Sequence, residues 1–257
     1  MSEPPTLLCH GGPDAQGAAP HDFSTNSNAC GPCPAALAAV QQADATRYPD
    51  PAYTDLRAQL AAFHGVEAAR IVLAGSASEF IHRITALAAQ RGVRAVAVPP
   101  HGYGDYAQAA RARSLAVHTE PHATAGLHWA CEPSSPLGHA DPVVRTWQDG
   151  GAVAALRVLD CAYAPLRLDE EGAWTGSPSP HLPSACWQLW TPNKAMGLAL
   201  GVRLTKPGVY QLHAQGRAPT PRDVGWAQKF ASKVAWTLSG IAVSAIFIVA
   251  IQGAWNA

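Results

Sequence analysis

Short apolar runs that end in a turn and hand over to a helical stretch recur along most of this chain. "RIVLAG" (70–75) leads into "SASEFIHRITALAAQRG", and "RAVAVPP" (94–100) into "YGDYAQAARARS". "SLAVHTE" (114–120) and "LHWACEPSSP" follow, then "VVRTWQDGGAVAALRVLDCAY" as helix and strand. Strands of this length alternating with helices predict an α/β domain with a mostly parallel sheet flanked by helices. Upstream, residues 34–46 and 53–64 read as helices: Leu56, Leu60 and Phe63 recur at helical spacing and Gly65 is suited to a C-cap. In parallel sheets ligands gather at the carboxyl ends of the strands, so the chemistry is sought there.

Charge excludes one class of function. The 18 basic residues are balanced by 18 acidic ones and form no basic run, so nucleic-acid binding has no electrostatic support. The polar, proline-rich start has no hydrophobic signal core, and the six cysteines are accordingly expected to be mostly reduced. Cys30-Gly31-Pro32-Cys33 matches the tetrapeptide of dithiol redox sites, but no second pair completes a zinc set. Ala29, where a thioredoxin typically carries tryptophan, argues against a redox role.

Three strand ends carry candidate groups. "GSAS" opens a helix, where backbone N–H groups and two hydroxyls, Ser76 and Ser78, make an anion cradle. "VLDCAY" ends a strand on Asp160 with Tyr163 three residues on; a carboxylate there either caps a turn or pairs with a cation. In "LWTPNKAMGLALGVR", Lys194 is flanked by apolar residues, and a desolvated lysine loses its proton readily and can act as a nucleophile.

Taken in order, these segments resemble fold-type-I pyridoxal-phosphate enzymes, histidinol-phosphate aminotransferases and cobalamin-pathway threonine-phosphate decarboxylases above all, over roughly residues 9–205. "DFSTNSNACGPCP" is similar to the family's entry segment, which makes the cysteine pair part of a lip over the pocket and Asn26 and Asn28 its substrate-facing residues. "TRYPDPAYTDLRAQLAAFHGV" includes Tyr48, implied to reach the cofactor phosphate of a neighbouring subunit in a homodimer. The resemblance implies a pyridoxal 5'-phosphate site in which Ser76, Ala77, Ser78 and Thr191 hold the phosphate and Tyr103 stacks on the ring. Asp160 would keep the pyridine nitrogen protonated, Tyr163 and Ser135 would lie beside the ring oxygen, and Lys194 would be the Schiff-base lysine.

Two features depart from the family. Ser135 stands where an asparagine is usual, and Arg203 comes one residue later than the family's phosphate-binding arginine. Past the lysine only 63 residues remain, in which the small domain is not recognisable, and Arg217 and Arg222 read as linker charges. The expected organisation is therefore a PLP-transferase-like large domain over 1–205, a linker over 206–228 and a hydrophobic helix over 229–257. "VAWTLSGIAVSAIFIVAIQGAWNA" (234–257) carries no charge and is long enough to cross a bilayer as a helix. Trp236 and Trp255 stand near its ends and Lys229 and Lys233 precede it, which predicts a cytoplasmic domain tethered to the cell membrane.

Two functions follow. The first is a PLP enzyme acting on a small phosphorylated amino acid or amino alcohol, as a decarboxylase or an aminotransferase, in cobalamin synthesis. The alternative is a degenerate domain of the same ancestry serving as an anchored subunit of a membrane complex.

Overall fold

The protein, seen in a computed structural model, is described here for residues 16–17, 20–21, 30–43, 46, 48–135, 137–148, 155–166, 186–191, 194, 201–206, 209–213 and 248–251. Asn26 and Asn28 lie outside the described residues. The helices are α1 (Pro34–Gln41), α2 (Thr54–His64), α3 (Ala77–Gln90), α4 (Gly104–Arg111) and α5 (Pro142–Gln148). The strands are β1 (Ile71–Ala74), β2 (Ala95–Ala97), β3 (Ala116–His118), β4 (Leu127–Cys131), β5 (Leu156–Asp160), β6 (Cys186–Trp190), β7 (Gly201–Lys206), β8 (Val209–His213) and β9 (Ile248–Ile251). Seven strands form one sheet in the order β1-β9-β6-β5-β4-β2-β3, and β7 and β8 pair as a separate hairpin.

The expected parallel sheet is present. β3, β2, β4, β5 and β6 are joined by parallel pairings, and β9 runs antiparallel to both β6 and β1. β1 therefore points the same way as β2 to β6, and their carboxyl ends share one edge.

Side-chain alternation along the central strands separates two cores. Trp129, Val158 and Leu189 pack on one face against Phe80, Ile81 and Ile84 of α3 and Tyr106 of α4. Their neighbours Ala130, Leu159 and Trp190 pack on the other face with Leu56 and Leu60 of α2 and Val144 and Trp147 of α5. Burial on both faces explains why these strands are continuous apolar runs. Asp141 ties the α5 layer to the sheet edge: it accepts hydrogen bonds from the backbone amides of Cys131 (3.1 Å) and Val143 (3.0 Å).

The C-terminal expectation needs correction at the residues that can be seen. Ile248–Ile251, inside the stretch read as a membrane-spanning helix, form β9 between β1 and β6. An apolar run suits a strand enclosed by two neighbours as well as it suits a helix in lipid, and hydrophobicity without a clear period does not separate them. The rest of 234–257 lies outside the described residues. Among the described residues no helix is long and apolar enough to cross a membrane.

Candidate active site

A cavity of about 600 Å³ opens at the shared carboxyl edge of β1, β2, β4, β5 and β6. Each strand delivers its group at its last residue or through the turn that follows.

After β1, Ser76 is the N-cap of α3 and its hydroxyl accepts from the Glu79 amide (3.0 Å). Glu79 reaches back to the Gly75 amide (2.7 Å) and also pairs with Arg83 (3.1 Å). This is a variant of the capping box, with Glu79 taking the amide just before the N-cap residue. The first turn of a helix has no internal acceptors for its amides, so those of Ala77 and Ser78, both lining the cavity, have no intrahelical partner. The dipole of a 14-residue helix favours an anion at that place.

After β2 the chain turns at Pro99–Gly102, closed by a Gly102 amide to Pro99 carbonyl bond of 3.0 Å. Glycine is required there: a Cβ on Gly102 would sit 2.9 Å from the Pro99 ring and 3.0 Å from its carbonyl oxygen. The turn presents Tyr103, whose hydroxyl lies 3.4 Å from that of Ser78. The Ser78 hydroxyl donates to Asp105, itself buried. Tyr106, one residue on, donates its phenolic proton to Asp160.

β4 contributes Cys131 and, beyond it, Ser135 to the cavity wall. Burial raises the Cys131 thiol far above its ordinary range, with the neighbouring Asp160 carboxylate adding to the effect, so this thiol stays protonated. β5 ends on Asp160, which is 5% exposed and accepts from the Ala162 amide (2.8 Å) as well as from Tyr106. Burial pushes the Asp160 carboxyl up, while the Tyr106 hydrogen bond, the Ala162 amide and the Lys194 charge pull it back. β6 is followed by Thr191, whose hydroxyl is buried without a hydrogen-bond partner among the described residues, and by Lys194. The Lys194 amine donates to the Tyr163 hydroxyl at 3.0 Å and lies 4.6 Å from the centre of that ring.

One cavity thus brings together Ser76, Ala77, Ser78 and Tyr103 with Ser135, Asp160, Tyr163, Thr191 and Lys194. Tyr48 is elsewhere, fully exposed. Arg203 lies on β7, in register with Gln211 of β8, in the hairpin outside the seven-stranded sheet. Of the opening cysteine pair, Cys33 is buried at the N-cap of α1 and Cys30 is half-buried. Among the described residues no group of three or more histidine, cysteine or acidic side chains could hold a metal ion. The sequence reading missed Asp105 and Tyr106; their signal was "YGDY" at a helix start, which puts Tyr106 three residues beyond Tyr103 on the same helical face.

Residues 20–128 match the family model for aminotransferase class I and II. The histidinol-phosphate aminotransferase of Ruegeria sp. (strain TM1040) is 34% identical over 161 residues, 55% of this chain and 44% of that protein. Histidinol-phosphate aminotransferase 1 of Thiobacillus denitrificans is 30% identical over 174 residues, 59% of this chain and 45% of that one. The chain thus spans less than half the length of these curated relatives. Among solved structures, histidinol-phosphate aminotransferase from Sinorhizobium meliloti in complex with pyridoxal-5'-phosphate gives a TM-score of 0.56 at 22% identity, covering 84% of this chain and 62% of that one. L-threonine-O-3-phosphate decarboxylase from Porphyromonas gingivalis gives 0.54 at 18% identity, covering 86% and 66%. At such identities the structural likeness speaks for the fold alone. Over residues 20–128, which build the β1 and β2 side of the cavity, the chain is similar to the aminotransferase class I and II family.

Proposed function

We infer that the chain is a pyridoxal 5'-phosphate-dependent enzyme of the aminotransferase type that acts on a phosphorylated amino acid or amino alcohol. The observation that carries this reading is one cavity holding a lysine amine on a phenol, a buried carboxylate and an open helix N-terminus.

These residues fit the cofactor. The Ala77 and Ser78 amides, with the unpartnered Thr191 hydroxyl, are donors suited to a phosphate. Asp160 is a carboxylate suited to a protonated ring nitrogen, and Lys194 supplies the amine that would bond an aldehyde. When bound, pyridoxal 5'-phosphate supplies an electron sink for bonds at the substrate Cα. The protein's part is to orient and to move protons. Tyr163 fixes the Lys194 amine by accepting its hydrogen bond, so the amine has a defined position from which to take or return a proton. Asp160, gripped at both oxygens, places a negative charge at the floor of the cavity. The turn at Gly102 holds Tyr103 at the cavity wall, where its ring can cover a planar ligand.

The names of the relatives, histidinol-phosphate aminotransferase and threonine-phosphate decarboxylase, support a substrate with an amine and a phosphate. Tyr48, fully exposed, is free to reach a second copy of the chain, and a homodimer completes the site on this reading. The test is to load the purified chain with pyridoxal 5'-phosphate and offer histidinol phosphate and threonine phosphate separately. A visible cofactor band that disappears in Lys194→Ala, with turnover of either substrate, is the expected result. A band without turnover of any phosphorylated amine would leave a cofactor-binding domain and overturn the enzyme reading.

A further inference from the structure

Asp160 closes the floor of the cavity, yet the side chain that controls it comes from another element. Tyr106 is fully buried in the first turn of α4 and donates its phenolic proton to Asp160 Oδ2 across 54 residues of sequence. Two aromatic contacts fix its ring. Trp129 of β4 stacks on it at 4.4 Å with a 12° interplanar angle, and Tyr103 meets its edge at 5.9 Å and 84°. A ring held on two sides leaves the hydroxyl one place to be. The other carboxylate oxygen, Oδ1, takes the Ala162 amide at 2.8 Å.

We propose that Tyr106 is the positioning residue of this site, fixing both the orientation and the negative charge of the Asp160 carboxylate by donating its hydroxyl proton to Oδ2. Its consequence for the cofactor rests on the pyridoxal-phosphate reading above; its effect on Asp160 does not. With Tyr106 on one oxygen and Ala162 on the other, rotation of the carboxylate is blocked, and each oxygen keeps a lone pair for a ligand. The titratable groups around Asp160 are Tyr106 of α4, Tyr103 at the α4 N-cap, Cys131 of β4, Cys161 directly after β5 and Lys194 after β6. Burial works against the charge, and of the influences that sustain it the Tyr106 hydrogen bond is the largest, ahead of the Ala162 amide and Lys194. Hydrogen bonds to charged groups are the strong ones, and a partner lost in a dry site is not replaced by water.

The experiment is a pH titration of the full cofactor-free chain carrying ¹³C-labelled aspartate, with the Asp160 carboxyl signal assigned by its loss in Asp160→Asn. In Tyr106→Phe, which keeps the ring, the Asp160 midpoint moves to higher pH; an unchanged midpoint overturns the proposal. A purely packing role would lower the melting temperature and leave the midpoint in place. Tyr106→3,5-difluorotyrosine, a stronger donor, moves the midpoint to lower pH and decides the matter if the phenylalanine variant does not fold.

With pyridoxal 5'-phosphate, Tyr106→Phe weakens binding about tenfold and adds no further loss in an Asp160→Asn background. Equal losses in both backgrounds would show that Tyr106 acts independently of Asp160 and would overturn the proposal. If the wild-type chain binds no pyridoxal 5'-phosphate, the proposed function fails, and the carboxyl titration still decides the role of Tyr106.

Discussion

Two buried titratable side chains, Asp160 and His64, sit in contrasting surroundings. Asp160 faces the cavity at the end of β5 with a donor on each oxygen. His64, at the end of α2, lies in the opposite layer against Trp190 and Phe63, and its Nδ1 has no hydrogen-bond partner among the described residues. Burial drives both toward neutrality, raising the Asp160 carboxyl and lowering His64 from 6.5 to about 4. At Asp160 the fold supplies groups that offset part of the burial; at His64 it supplies rings that tolerate only the neutral form. A strand end in a ligand cavity and a helix end in a core thus use the same burial to opposite ends.

The comparison is broken most severely by removing the charge at Asp160. Asp160→Asn should weaken pyridoxal 5'-phosphate binding about 100-fold or more, the scale of deleting one partner of a buried charge pair, as read by equilibrium dialysis. The His64 side is tested by acid. Because the folded value is depressed, His64 contributes its full stability above about pH 6.5, and that contribution is lost as the pH falls toward about 4. The loss amounts to about 3 kcal/mol at ~1.4 kcal/mol per unit. His64→Phe should flatten this limb of a denaturant-unfolding series between those pH values, and an unaltered limb would mean that His64 is not what titrates.

Asp160 predicts the opposite slope. Its folded value is raised, so between the unfolded carboxylate range near 4 and that raised value the cofactor-free protein holds the proton more tightly than the unfolded chain. Stability is lost as the pH rises through that interval. Cofactor-free Asp160→Asn should therefore melt higher than wild type at neutral pH, with the gap closing as the pH is lowered through that range. A site kept for binding at a cost in stability behaves in this way. The smallest effect is at the α3 cap: Ser76→Ala should cost about 1 kcal/mol of unfolding free energy, through loss of the bond to the Glu79 amide.

What could be read from the sequence was local. "GSASE" announces a capped helix start in five letters, and the α3 N-terminus is where it predicts. Alternation of strands and helices places Asp160 at the end of β5 and Lys194 after β6, because strand ends are set by short-range pattern. Tyr106 escaped because its partner is 54 residues away, and only the tertiary fold, with α4 packed on the sheet in which β4 and β5 pair, brings the two together. Asp105 escaped in the same way, through its bond to Ser78 of α3. Ile248–Ile251 misled for another reason: strand pairing with β1 and β6 is a long-range event that an apolar run does not record.

The account turns on Lys194 as the residue that engages the cofactor. The direct measurement is to incubate the full chain with pyridoxal 5'-phosphate, reduce with borohydride and locate the added mass by peptide mass spectrometry. The prediction is a single modified site at Lys194, lost when excess phosphate competes for the Ala77 and Ser78 amides. No adduct, or labelling spread equally over Lys206, Lys229 and Lys233, would contradict it.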